Sequence, residues 1–570
     1  MFCPIGQNEL DINECDAQIP HIIKNLRSPN EVRGNNRLTA VIEDTLYYII
    51  EFKKNPVSGV VGLKIKKTAA RLLGRSMIFG VLLLMQIMFL IAAVISIGKN
   101  IFTVYTFIAA ADICFSLIII NSSEPSGYKL TWLFAVNIFP FVGGIGYIFM
   151  RISRSIPRTA ERNYRRNSVE PLLQDNSVAA EFLEEYPQYF GLAKYVAEYG
   201  GYPVCRCENT EYFPIGEQWF DSVIKELENA EKFIFMEFFI IREGYVLAKI
   251  SEILLRKAAE GIDVRLLYDG IGTGINDCME VIGKLERGGV KCREFNPFRP
   301  FLSSVQNNRD HRKIIVIDGK KAFSGGTNLA DEYINRRERF GHWKDTAVML
   351  EGSAVWNYTV MFLQLWDSFA DGRCCTEYRP LIPARYKRKG FIQPFSDSPF
   401  DNETVGKRVY LELINTARDY VLITTPYFIP DEELLNALIF AARKGVEIKL
   451  IIPHIPDKKY VHIITRSFFP ELVEAGIKVY EYLPGFIHGK CCVSDGKAAV
   501  IGSINFDYRS FYMHFETAAI FYGAEVISEI QHDFDKTAEL SHLVTYEECR
   551  KRSIFERLAA WILVIFSPVF

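Results

Sequence analysis

The alternation of apolar and polar positions divides the chain into two regimes. Between Met77 and Met150, apolar runs follow one another at 77–97, 101–121 and 130–150. The first and third carry no charge along their whole length, while the second has Asp112 near its middle. At about 1.5 Å per residue, a run of this length matches roughly 30 Å of hydrocarbon, so the pattern predicts membrane helices. Pro140, Gly143, Gly144 and Gly146 interrupt the third run, which membrane helices tolerate because neighbours satisfy the freed backbone groups. A signal peptide is not expected, since the first run begins only at Met77 and no small-residue cleavage pattern follows it.

Past Arg166 the signal changes to strands alternating with helices. The run 233–241 (FIFMEFFII) predicts a buried strand, 246–260 an amphipathic helix ending at Gly261, and 264–268 (VRLLY) another strand. The order returns as a strand at 420–425, a helix at 432–444 ending at Gly445, and a strand at 447–452. RKAAEGIDVRLLYDG, starting at Arg256, aligns without a gap with FAARKGVEIKLIIPH, starting at Phe440. One long-period duplication predicts two similar α/β lobes, each built on a mixed, largely parallel sheet.

Charge refines the picture locally. Seven basic residues and no acid lie from Lys53 to Arg75, and six Arg with one Glu from Arg151 to Arg166. The positive-inside rule places both flanks in the cytoplasm and requires an even number of crossings. Three runs make an odd number, so one of them, with the Asp112-bearing run the first choice, is expected to be re-entrant or interfacial. The second basic cluster serves either as a topology signal or as a holder of anionic headgroups. The total is nearly balanced, 66 Lys+Arg against 68 Asp+Glu, which gives no global field for a nucleic acid. The twelve Cys show no paired Cys-x-x-Cys signature, as expected of reduced, cytosol-facing thiols.

The chemistry repeats with the lobes. The first copy reads DHRKIIVIDGKKAFSGGTN and the second IHGKCCVSDGKAAVIGSIN, each containing His-x-Lys-x4-Asp. His311, Lys313, Asp318, Gly325 and Asn328 recur at one constant offset as His488, Lys490, Asp495, Gly502 and Asn505. On an extended segment, residues i and i+2 share a face, so each His and Lys point together. The set suits phosphodiester chemistry. One neutral imidazole attacks phosphorus, a second imidazolium protonates the leaving oxygen, and Lys and Asn side chains supply donors for the non-bridging oxygens. No metal ligand pattern accompanies it and no cofactor is expected. Asp318 and Asp495, both before Gly, are read either as part of the catalytic motif or as turn residues, with the turn favoured. Each His also needs a carboxylate to hold its tautomer. Asp345 and Glu516 lie downstream of their histidines, each before Thr-Ala and an apolar strand; the alternative is an exposed acid at a strand start. His342, His454, His462 and His514 have no paired copy and are expected to be structural or rim residues.

A duplicated pattern of this kind resembles the phospholipase D superfamily. Within it, NSSEPSGYKLTWLFAVNIFPFVGGIGYIFM, LLYDGIG, NNRDHRKIIVIDG, TTPYFIPD and the terminal FSPVF resemble the bacterial cardiolipin synthases from about Leu73 to Phe570. The resemblance implies transmembrane helices followed by two pseudo-symmetric phospholipase D-like α/β lobes that share one site. The tail at 1–72 lies outside the resemblance and is assigned no role; the remaining division is an anchor at 73–150, a basic linker at 151–215, lobes at 216–395 and 396–545, and an apolar segment at 546–570. That last segment, with its run at 558–566 about half the length of a spanning helix, is expected at the interface or packed on the lobes. The implied reaction moves a phosphatidyl group between two phosphatidylglycerol molecules at the bacterial cell membrane, giving cardiolipin and glycerol. The implied partners are phosphatidylglycerol and membrane lipids, not nucleic acid. His311 is then the nucleophile by family habit, since the sequence itself is symmetric, and His488 the acid and base. Lys313, Lys490, Asn328 and Asn505 would hold phosphate, and Ser503, standing where the first copy has Gly326, adds a hydroxyl. A hydrolase releasing phosphatidic acid, or a transferase with another donor or acceptor, would use the same residues.

Overall fold

The computed structural model describes residues 101–139, 143–148, 158–166, 176–274, 278–297, 307–369, 376–379, 389–401 and 403–569. The tail at 1–72 and the run at 77–97 lie outside them.

The first sheet contains β1 (Asn209–Phe213), β2 (Phe233–Phe238), β3 (Asp263–Asp269), β4 (Lys291–Phe295), β5 (Ile314–Ile317), β6 (Lys321–Gly325) and β7 (Ala347–Glu351), in the order β1-β7-β6-β5-β2-β3-β4. The second contains β8 (Phe391–Asp397), β9 (Tyr420–Thr424), β10 (Glu447–Pro453), β11 (Lys478–Tyr482), β12 (Cys491–Ser494), β13 (Ala498–Gly502), β14 (His514–Tyr522) and β15 (Ser541–Leu543). Its order, β8-β14-β13-β12-β9-β10-β11-β15, reproduces all seven strands of the first and extends both edges, with β15 at one and the short strand Cys205–Arg206 at the other. The duplication seen in sequence is therefore a duplicated topology.

Parallel pairing is the smaller part of each sheet, contrary to expectation. Between neighbours in these two strand orders, only β2–β3–β4 and β9–β10–β11 run parallel. The remaining neighbours in those orders are antiparallel, and each motif strand turns back onto the next at Asp-Gly. Asp318 and Gly319 have φ of 55° and 65°, and Asp495 and Gly496 have 53° and 62°. Two successive positive φ values match the twist of a tight hairpin.

β2 is buried on both faces along its whole length, as in strands covered by helices on each side. On one side runs helix Tyr245–Ala259 with its apolar face inward. On the other lies helix Val355–Ser368, which is buried from end to end. Its polar Asn357 and Gln364 are buried on internal hydrogen bonds, and the helix packs on strands of both sheets and carries the core across the molecule. The boundaries also shift. β8 belongs to the second sheet, so that sheet begins before residue 396, while β1 joins the first sheet ahead of residue 216.

The helices ahead of the lobes include α1 (Ile101–Ile120) and α2 (Ser126–Ile138), and the side chains of α1 are described from Thr106 on. No helix among the described residues is long and apolar enough to cross a membrane.

Candidate active site

The two motifs meet because each leaves its own lobe before entering its strand. Arg309–Asp310 pairs in parallel with His514 and Phe515 of β14, and the His311 amide continues the ladder to the Phe515 carbonyl at 2.9 Å. The second copy mirrors this. Gly485–Ile487 pairs with His342–Lys344 of the first lobe, and the His488 amide donates to the Lys344 carbonyl at 2.6 Å. Each histidine is thus stitched to the residue just before the other lobe's carboxylate.

The consequence is a crossed pairing. His311 Nδ1 lies 3.0 Å from both carboxylate oxygens of Glu516, and His488 Nδ1 lies 2.6 Å from Asp345 Oδ2. Both acids are fully buried and are not exposed strand-start residues. The expectation that each acid serves the histidine of its own copy is corrected: the acids are exchanged between lobes. Ser503 and Gly326 differ for the same local reason. A Cβ at Gly326 would run into Asp345 Oδ1, whereas Ser503 donates its hydroxyl to Glu516 Oε2.

His311 and His488 are 7% and 6% exposed. Burial, reinforced by the charges of Lys313 and Lys490, holds His311 well below the usual imidazole range. Burial and Lys490 bring His488 down to about 4 against the opposing pull of Asp345. Burial presses on Asp345 from the other direction, yet the contact with His488 keeps its carboxyl below the usual range. Lys313 and Lys490 are buried ammonium groups, pushed down mainly by burial to about 7 and about 8. Each donates to the backbone carbonyl of its own motif histidine. Phe239 lies against His311 at 5.1 Å between centroids, and Trp343 and Tyr333 lie against His488 at 5.3 and 5.5 Å. Apolar walls of this kind strengthen every charge interaction inside.

The remaining sequence candidates take other places. Asp318 stands at the far end of β5, about 16 Å of extended chain from Lys313 at roughly 3.3 Å per residue. It accepts the amides of Glu231, Lys232 and Phe233 at 3.0, 2.7 and 3.0 Å. Asp495 does the same for Arg418, Asp419 and Tyr420 at 2.9, 2.8 and 2.9 Å. Both carboxylates fasten the start of the neighbouring strand and stand outside the site, because the Asp-Gly turn carries them away from it. Asn328 accepts the Ile240 amide at 3.0 Å and donates to Tyr333 Oη at 2.8 Å. Asn505 donates to Asp507 at 3.2 Å, and its Oδ1 is buried without a partner.

His514 is a site residue that spacing did not single out. Its ring lies 5.3 Å from that of His311, its Nδ1 is 3.4 Å from Glu516 Oε1, and burial brings it down to about 3. It occupies the position that Trp343 holds in the first copy, so no repeated histidine marked it. Arg312 was also missed. It is fully buried between Glu237 at 2.5 Å and Asp310 at 3.3 Å; the charge-dense RDHRK ahead of an apolar strand was the available signal.

Among the described residues, His311, His514 and Glu516 bring ligand atoms within 4.8 Å of one another. His311 is already bonded to Glu516, and the nearby lysine charges oppose a cation there.

Comparison with known proteins gives the same assignment. The family model "Cardiolipin synthase, PLD-like domain" matches residues 223–366 and 410–538, and "Phospholipase_D-nuclease N-terminal" matches 104–151. An uncharacterized protein of Streptococcus mutans is 41% identical over 460 residues, covering 80% of this chain and 99% of that one. A cardiolipin synthase of Geobacillus kaustophilus is 34% identical over 480 residues, covering 83% and 95%. A solved phosphatidylserine synthase of Haemophilus influenzae shares the fold, with a TM-score of 0.51 at 13% identity over 67% of this chain and all of that one. Two lobes with one His-x-Lys motif each define the phospholipase D class. Within that superfamily, the chain belongs to the cardiolipin synthase family of phosphatidyltransferases.

Proposed function

We propose that this site transfers a phosphatidyl group between two phosphatidylglycerol molecules at a membrane, giving cardiolipin and glycerol. The observation that carries the reading is the pair of buried imidazoles, each backed by the other lobe's carboxylate and flanked by a buried lysine. His311, taken as the nucleophile by family resemblance, attacks phosphorus through Nε2. The phosphorus–nitrogen bond forms as the bond to the departing glycerol oxygen breaks, and His488 gives that oxygen its proton. His488 suits the acid role because Asp345 at 2.6 Å favours its protonated form, and a bound diester anion offsets the lysine charges that otherwise suppress it. His488 then takes the proton of the second lipid's hydroxyl, whose oxygen displaces His311. Lys313 and Lys490 hold the non-bridging oxygens as charge grows on them.

Transfer requires that lipid alcohol outcompete water at the phosphohistidine. The depth of both histidines and the apolar runs at 77–97, 101–121 and 130–150 support that outcome, since membrane anchoring concentrates the alcohol at the site. Both basic flanks support lobes on the cytoplasmic side. The test is purified full-length protein with labelled phosphatidylglycerol. Cardiolipin and glycerol in equal amounts are expected; phosphatidic acid without cardiolipin would make the enzyme a hydrolase.

A further inference from the structure

The C-terminal helix α3 (Ile554–Ile565) is fixed on one side only. Its first turn is capped by Ser553, which accepts the Glu556 amide at 3.1 Å. Its inner face rests on the second lobe, where Leu563 packs against Ile429, Val461 and Ile464. Its last turn meets α2: Thr131 Oγ1 donates to the Ile565 carbonyl at 2.6 Å, and the Phe134 and Phe566 rings meet edge to face at 5.9 Å. The outer face carries Ile554, Phe555, Leu558, Trp561 and Ile562, with Phe555 79% and Trp561 64% exposed. Leu130 and Ile138 of the neighbouring α2, and Phe107, Ile113 and Leu117 of α1, are exposed as well. Large apolar side chains exposed together on three helices that contact one another in turn mark a binding face, not ordinary exposure.

We propose that the outer face of α3 is a second membrane contact, seated with the exposed faces of α1 and α2 in the headgroup–acyl boundary of a bilayer. The occupant follows from the chain. The uncharged run 77–97 ends just before α1 begins at Ile101, so lipid is what this end of the molecule meets, and α3 is bonded directly to α2. At 12 residues, or about 18 Å, α3 is too short to span and lies in the interface plane, where Trp561 suits the polar–apolar boundary. The contact also orients the enzyme. A cavity of about 1130 Å³ is lined by Gly127, Leu130 and Pro568 from the helical group and by His514 from the second lobe. Seating the three helices in lipid sets this cavity beside the headgroups, with its inner wall against the ring next to His311.

The test is independent of catalysis. The full chain is placed in nanodiscs of phosphatidylglycerol and phosphatidylcholine, with and without phosphatidylcholine brominated near the top of the acyl chain. The emission of Trp561, taken as the difference between the parent and Trp561→Phe, is expected to fall at least twofold with brominated lipid. Emission unchanged by bromine would overturn the proposal, as when α3 faces water or is covered by protein. Phe555→Glu with Ile562→Glu, both at exposed positions, is expected to abolish the quenching of Trp561. A double variant quenched as strongly as the parent would overturn the proposal as well.

Discussion

An imidazole buried beside two ammonium groups is neutral before substrate arrives, and the ammonium groups pay for their own burial with low proton affinity. Lys313 near 7 and Lys490 near 8 therefore lose their charge as pH rises through that window in the free enzyme, whereas His488 protonates only near 4. Because kcat/KM reports the free enzyme, it is expected to drop by about tenfold or more between roughly pH 7 and 9; a flat or rising profile there would contradict the lysine assignment. Asp345→Asn and Glu516→Gln leave each histidine without its anion, and kcat should fall by roughly 10²–10⁴-fold with KM little changed. Turnover within threefold of the parent in either variant would remove the crossed pairs from the mechanism. Asp318→Ala removes three charge-assisted amide contacts and should cost about 2–3 kcal/mol of stability, read from denaturant unfolding, while the folded fraction keeps its activity. Inactivity of the folded fraction would return Asp318 to the chemistry.

At the level of elements, the sequence exposed some arrangements and hid others for physical reasons. The repeated strand–helix–strand order and both His-x-Lys motifs were legible because local periodicity and spacing repeat. Their mutual geometry was not. Periodicity says which face a residue takes, not which lobe its strand will join, and the exchange of Glu516 and Asp345 depends on short ladders between lobes. His514 escaped because its counterpart is Trp343, so duplication gave no signal. The hairpins were written in the Asp-Gly pairs, yet the parallel βα pattern overshadowed them. The helix Val355–Ser368 was missed because its polar positions Asn357, Gln364 and Ser368 turn inward onto internal partners and mark no solvent face. Its enclosure makes a strong prediction: Leu363→Ala, at a residue with no exposed surface, should cost about 2–5 kcal/mol and lower the unfolding midpoint of both lobes together. Separate transitions, with only one lobe destabilised, would mean that the helix does not join them.

For the whole molecule, the duplication explains why one chain holds a site that neither lobe completes. Each lobe supplies one imidazole and the carboxylate for the other, so on the proposed mechanism loss of either motif removes both an attacking or proton-carrying group and part of the phosphate pocket. The helices α1 and α2 and the lobes belong to one compact unit, and on the proposed reading that unit meets the lipid phase that holds its substrate. The most direct measurement is cardiolipin formation from labelled phosphatidylglycerol by purified His311→Ala and His488→Ala in lipid. Each variant, folded as judged by its unfolding midpoint, is expected to make no detectable cardiolipin. Near-normal turnover by either one would contradict a single site shared by the two lobes.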